Sequence, residues 1–366
     1  MNKLFETTTI NGMTLKNRFV RSATWEGMAS DDGECTPKLM ALMADLAQGG
    51  VGLIITSHAY VRPEGQAGPW QLGIYKDELI PKLKAMTDAV HEKGGKIVLQ
   101  IAHAGFNARP RDKEQIPLAP SSTASVSDKT RKEMSVRDIQ EIVEAFGQAA
   151  DRAKKAGFDG VQIHSAHGYL LSQFLSPIFN QRTDAYGGDI RKRAKAILEV
   201  LQSVRKTVGK DYPVLVKMNC QDFMDNGLIL EDSIQVGMML AEGGIDAIEL
   251  SGGLLNSRML SPSRMRINSE EKEAYFRDEA RAFKEKVQVP LILVGGIRSY
   301  HLAEQLLEEV RADYISLCRP FIREPGLINR WKSGDLRKAT CLSDNQCFVP
   351  AGAGEGIYCV PARKGE

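Results

Sequence analysis

Long apolar runs are missing from this sequence. The longest, at residues 51–55 and 291–294, are far too short to cross a bilayer, and the N-terminal MNKLFETTTINGM has no apolar region of a secretory signal. Both absences lead us to expect a cytoplasmic protein. An excess of one charge is missing too: 48 Lys and Arg stand against 46 Asp and Glu, with the signs interleaved. Neither nucleic acid nor an anionic membrane surface would find the basic stripe it requires. The six cysteines, Cys35, Cys220, Cys318, Cys341, Cys347 and Cys359, are scattered, and without an export signal they are expected as reduced thiols. No GxGxxG follows the first apolar strand, which weighs against a dinucleotide-binding open sheet.

What is present is an alternation. At 366 residues the chain suits one large α/β domain or two smaller ones, and length alone does not choose. Residues 18–23 (RFVRSA) read as a first strand. Leu39, Met40, Leu42, Met43 and Leu46 then fall at helical spacing and stop at Gly49-Gly50, before the buried strand 51–55. The same unit recurs. Helix 78–93 precedes strand 96–100, and Ser135 with Asp138 resembles a capping box for the helix that leads into a strand at Val161 and Ile163. Helices 190–208, 231–242, 270–286 and 299–309 precede strands 213–218, 247–250, 290–294 and 314–317. Eight strands alternating with helices require a parallel sheet and fit a (β/α)8 TIM barrel better than an open one. We expect the barrel over residues 1–333 and a C-terminal extension over 334–366.

In such a barrel, chemistry sits at the C-terminal strand ends. The fourth strand releases His164, His167 and Tyr169 within six residues: two imidazoles able to hold an oxygen and a phenol able to give a proton. An HxxH pair after a strand is also a common structural arrangement, so other strand ends must decide. Gly295-Gly296 after the seventh strand and Arg319 after the eighth make the phosphate site that barrels build there. Lys217 points toward the barrel mouth, where a buried cation needs an anionic neighbour. Gln100 donates and accepts at once, matching the edge of a heteroaromatic ring. Insertions at 60–77 and 104–134 follow strand ends, and Arg109 or Arg111 in the second could meet an anionic substrate or nicotinamide cofactor.

With these residues in place the chain resembles the Old Yellow Enzyme family of FMN-dependent oxidoreductases over essentially its whole length. The motifs are NRFVRSAT, QIAHAG, HSAHGYLLSQFLSP with NQRTDAYGG, VGGI and LCRPFIREP. The resemblance implies FMN at the mouth of a TIM barrel, contacted through Ala23, Thr24, Trp25, Ala59, Gln100, Lys217, Gly295, Gly296, Cys318 and Arg319. It also implies that His164 and His167 hold a substrate carbonyl oxygen and that Tyr169 is the proton donor. The implied activity is ping-pong: NADH or NADPH reduces the flavin, which then passes hydride to the β-carbon of an activated alkene. Family members are often dimers or tetramers.

Two departures stand out. Trp25 occupies a position where many relatives carry a small thiol, a hydroxyl or a histidine, and a large indole there would narrow the pocket. The tail CLSDNQCFVPAGAGEGIYC is similar to the segment by which the dienoyl-CoA reductase and trimethylamine dehydrogenase branch holds a [4Fe-4S] cluster, with Asp344 where a second cysteine is expected. Cys341, Asp344, Cys347 and Cys359 would then form either a remaining cluster or zinc site, or a decayed one kept as packing. The further flavin and nucleotide domains of that branch are not expected, since the sequence stops at Glu366. Two other readings compete with the reductase: a barrel metallohydrolase with His164 and His167 as ligands, and a flavoprotein electron carrier or sensor using the tail cysteines.

Overall fold

The computed structural model describes residues 3–109, 114–122, 131–255 and 257–364. Eight parallel strands close into a barrel: β1 (Phe19–Arg21), β2 (Leu53–Tyr60), β3 (Ile97–Ala102), β4 (Gly160–Ser165), β5 (Val214–Asn219), β6 (Ala247–Ser251), β7 (Leu291–Leu293) and β8 (Tyr314–Leu317). Closure is made by β8 against β1, with Ile315, Ser316 and Leu317 opposite Phe19, Val20 and Arg21. Every residue of these strands is buried, as expected for a parallel sheet covered on its outer face by helices and filled inside by side chains.

The outer ring is made by α1 (Pro37–Gln48), α2 (Ile80–Glu92), α3 (Val136–Lys155), α4 (Lys195–Val208), α5 (Leu230–Glu242), α6 (Arg277–Lys286), α7 (Tyr300–Glu309) and α8 (Leu327–Lys332). Helix starts follow local chemistry. The Thr36 hydroxyl accepts from the Leu39 amide at the start of α1, and Ser135 and Asp138 form a reciprocal capping box on α3. Ile139, Ile142, Phe146, Ala149 and Ala153 then form the buried stripe of α3.

The lower end of the barrel is sealed by an antiparallel hairpin, Thr8–Ile10 with Met13–Leu15, turned at Asn11-Gly12 with both residues at positive φ. Its Ile10, Met13 and Leu15 pack against Val20, Leu53, Ile55, Val98, Leu215, Ala247 and Ile292 in an apolar plug. The opposite, C-terminal end is left for polar groups.

Three boundaries differ from the sequence reading. Strand β2 does not stop at Ile55 but runs through an irregularity to Tyr60, so His58 pairs beside Gln100. The helix expected over 190–208 divides at Ala194. The helix expected from 270 begins at Arg277, because Ala274 turns into the left-handed region at φ 48°. That turn is held by fully buried Glu273, whose carboxylate accepts from the Arg298 and Ser299 amides at 2.7 and 2.8 Å.

Residues 338–364 run over the C-terminal end of the barrel. The Ala339 amide bonds to the Arg298 carbonyl, the Arg266 amide to the Ser343 carbonyl and the Ile357 amide to the Glu26 carbonyl. Asn345 is the hub. Its Oδ1 accepts from Arg319 Nη1 at 2.7 Å and from the Ser263 hydroxyl at 3.1 Å, and its Nδ2 donates to the Ser263 carbonyl at 2.9 Å. Replacing Asn345 with Ala removes three bonds of which each contributes about 0.5–1.5 kcal/mol. The expected outcome is amide hydrogen exchange over residues 339–347 faster by about tenfold or more, with barrel amides unchanged. Unchanged exchange in the tail would show that Asn345 does not anchor it.

Candidate active site

At the C-terminal end of the barrel the strand ends enclose a cleft with about 1060 Å³ of empty space, part of it open to solvent. Ala23, Thr24, Trp25, Gln100, His164, His167, Tyr169, Lys217, Gly296, Cys318 and Arg319 all border it. Ala59 and Gly295, expected beside them, do not. Ala59 is fully buried within β2, and the Gly295 carbonyl is taken by the Tyr275 amide at 3.1 Å. Gly296 is needed for packing as well as for its turn. At φ 72° a Cβ there would sit 2.8 Å from the Tyr275 ring. Of the two insertion arginines, Arg109 is exposed and Arg111 lies outside the described residues.

The cleft floor is a buried polar layer. Lys217 on β5 has a side chain 4% exposed and lies 3.4 Å from Glu249 on β6, which is fully buried. Lys217 Nζ donates to the Ser22 hydroxyl at 2.7 Å, and Ser22 in turn donates to Glu249 Oε1 at 2.7 Å. Ser316 donates to the same oxygen at 2.9 Å. Gln162 Nε2 donates to Glu249 Oε2 at 3.0 Å, and Gln100 Nε2 donates to Gln162 Oε1 at 2.7 Å. Burial works against the Glu249 charge, but Lys217 and the hydrogen bonds from Ser22, Gln162 and Ser316 outweigh it and hold the carboxyl below its ordinary pKa. Glu249 is thus the anionic neighbour that Lys217 required. The signal in the sequence was a lone Glu inside the apolar strand AIELS, matched by a lone Gln inside VQIHS.

Above this floor stand the polar heads of the β4 loop. His167 occupies a left-handed conformation at φ 62°, uncommon for a residue with a Cβ, and is held there from two sides. Its amide donates to Asn219 Oδ1 at 3.1 Å, and its Nε2 lies 2.8 Å from the Ser251 hydroxyl. The His164 ring is 5.4 Å from His167 and 4.9 Å from Tyr169, edge-on to both. Burial, and after it neighbouring positive groups that include Lys217, keep both imidazoles well below their ordinary pKa, so both are neutral. Burial pushes the Tyr169 phenol up to about 12 against a smaller opposing pull from Arg109. Sequence reasoning did not assign His58, although it sits at a strand end. Its Nε2 lies 3.2 Å from the Tyr169 hydroxyl, and burial lowers its pKa to about 4.

The far end of the cleft is cationic. Arg319 and Arg298 border it with Gly296, Ser263 and Ser343. Arg298 is 4% exposed and uses Nη1 on the Cys341 carbonyl; its Nε lies 3.8 Å from the buried Glu273 carboxylate, and its Nη2 has no hydrogen-bond partner. A buried donor such as Nη2 is expensive to leave unmade, which fits an anion at this end. Trp25 lies against the apolar core at the rim, and the Thr24 hydroxyl pairs with the Cys318 thiol. Cys341, Asp344, Cys347 and Cys359 border one small pocket with Arg319 and Arg323. Among the described residues no three His, Cys, Asp or Glu side chains are grouped so as to hold a metal ion. Burial raises both Cys341 and Cys347, the latter to about 12, and Arg323 Nη1 donates to Cys359 Sγ at 3.5 Å.

If the floor is an ion pair held by its hydrogen bonds, removing one charge strands the other. Glu249→Gln is expected to lower stability by about 3 kcal/mol in urea unfolding, and adding Lys217→Met should recover most of that loss. A single variant within about 1 kcal/mol of the parent would contradict the pairing.

Comparison with known proteins agrees with this geometry. Residues 3–337 match the model of the NADH:flavin oxidoreductase / NADH oxidase family. The chain is 34% identical over 378 residues to the NADH oxidase of Thermoanaerobacter brockii, covering 97% of this chain and 57% of that protein. It is 38% identical over 325 residues to the NADPH dehydrogenase of Bacillus subtilis, covering 88% and 92%. The structure of the old yellow enzyme homologue from Zymomonas mobilis superposes with a TM-score of 0.77 at 25% identity, covering 93% and 96%. The chain therefore spans little more than half of the first relative and nearly all of the other two. Closed barrel, motif-bearing strand ends and family match converge: the chain belongs to the NADH:flavin oxidoreductase / NADH oxidase family.

Proposed function

We propose that this cleft holds FMN and that the chain is an NAD(P)H-dependent oxidoreductase of the ene-reductase type, acting on a small α,β-unsaturated carbonyl compound or a similar acceptor. The observation that carries the reading is the convergence of Lys217, His164, His167, Tyr169 and Arg319 on one cleft whose lining includes no Asp or Glu. An anionic, ring-shaped cofactor suits that lining. Arg319, Arg298 and the Gly296 turn would hold its phosphate, Gln100 and Lys217 its ring edge, and Ala23, Thr24 and Cys318 its flank. Bound FMN would supply a two-electron carrier able to take hydride from a nicotinamide and pass it to an activated alkene.

The residues of this chain do the rest. Lys217 is paired from beneath by the buried Glu249 carboxylate at 3.4 Å. At about 4 Å and an effective dielectric near 20, a cation favours a negative charge by about 4 kcal/mol before desolvation. Neutral His164 and His167 each carry one N–H to offer to a carbonyl oxygen, stabilising the negative charge that grows there. A protonated imidazole would have to compete with Lys217 for the same anionic partners. Tyr169 keeps its proton in the resting site and gives it only to a strong base, the α-carbon next to the attacked bond. Trp25 at the rim narrows the entrance and favours flat acceptors. A reducing, cytoplasmic setting belongs to the same reading, since all six cysteines are free thiols.

The test is the near-ultraviolet and visible absorption of the purified protein before and after anaerobic NADH or NADPH, then after cyclohexenone. Flavin bands that bleach with one nucleotide and return with the enone are expected. In a Tyr169→Phe variant bleaching should persist while the enone-driven return slows by about a hundredfold or more. A protein that neither carries nor takes up FMN would overturn the reading.

A further inference from the structure

The Tyr169 phenol makes one hydrogen bond among the described residues, and its partner is His58 at 3.2 Å. The two rings lie 5.2 Å apart at 28°, so His58 meets Tyr169 both through its nitrogen and through its face. His58 comes from β2, on the stretch after the irregularity between Ile55 and His58, where it pairs beside Gln100. Its carbonyl is occupied by Gln71 Nε2 at 2.9 Å, so its backbone is fixed independently of Tyr169. His164 approaches from β4 with its ring centroid 6.1 Å away, and His58 itself is nearly buried. His58 also borders the cleft, on the same side as Tyr169 and Gln100.

We propose that His58 is the positioning residue for Tyr169, holding the phenol oxygen at the place from which it protonates the α-carbon; this rests on the functional reading above. A buried phenol is a weak acid, and its usefulness depends on where its oxygen sits. Misplacement by about 1 Å lowers a rate by about a hundredfold. The neutral imidazole supplies one donor and one acceptor, so the bond to Nε2 forms with either tautomer and pins the oxygen between β2 and the β4 loop. A residue with no hydrogen-bonding group would leave the phenol to turn about its side-chain torsions.

The test compares His58→Phe, which keeps a stacking ring but no hydrogen-bonding atom, with His58→Gln, which keeps an amide where Nε2 lies but no ring. Each FMN-loaded enzyme is reduced with nicotinamide and then mixed with cyclohexenone under stopped flow. For His58→Phe the limiting rate of the enone step is expected to fall by about 10- to 100-fold, with the apparent Kd for the enone within about twofold of the parent. His58→Gln is expected to recover most of that loss. Flavin reduction by the nicotinamide needs no proton from Tyr169 and should stay within about twofold in both variants. An unchanged enone step in His58→Phe, equal losses in both variants, or a parallel loss in flavin reduction overturns the inference while leaving the reductase reading in place. A parent protein without flavin or without any enone step overturns both.

Discussion

A lysine buried at the mouth of a barrel is tolerable only against a countercharge, and the Lys217–Glu249 pair is the constraint on which the rest of the site depends. The pair spans β5 and β6, and its satellites Gln162 and Ser316 come from β4 and β8 and Ser22 from the residue that follows β1. One carboxylate therefore ties β4, β5, β6 and β8 to the exit of β1. Below it the barrel is apolar and sealed by the N-terminal hairpin; above it the cleft gathers the imidazoles, the phenol and the cations among apolar walls that include Trp25 and Phe348. The layer is both the last of the core and the first of the active site.

Burial explains the histidines. Removed from water, His58, His164 and His167 stay neutral, with Lys217 adding to the effect of burial on the last two, so each can accept and donate at once. Tyr169, raised by burial, keeps its proton until a stronger base arrives. These are properties of a site built to receive negative charge on an oxygen and then to protonate carbon. At the far end Arg298 and Arg319 border the cleft, and both also fasten the tail through Cys341 and Asn345. The C-terminal segment is therefore continuous with the cationic end of the cleft, and burial raises the Cys341 and Cys347 thiols it brings there.

How much was legible follows from which patterns have a period. Strands buried on both faces appear as short apolar runs, and helices covering them appear as stripes stopped by Gly, so the barrel could be read from runs such as those at 51–55 and 314–317. The HSAHGY cluster was legible because polar residues crowd where a strand must end. Boundaries failed where a tertiary contact overrode the local pattern, as at Glu273, whose bonds to the β7 loop hold the left-handed turn before α6. Glu249 and Gln162 were hidden because a single polar residue inside an apolar strand looks like noise until its partner on another strand is known. The course of the tail was hidden for a related reason: its contacts are hydrogen bonds to distant loops, which leave no repeat in the sequence.

The central claim is that Lys217, paired with Glu249, faces the negative charge of a reduced flavin. The reduction potential of the flavin bound to the parent protein and to Lys217→Met tests it most directly. The account predicts a potential more negative in the variant by about 30–60 mV, the equivalent of about 1.4–2.8 kcal/mol for a two-electron couple. A potential unchanged by the loss of that cation would contradict it.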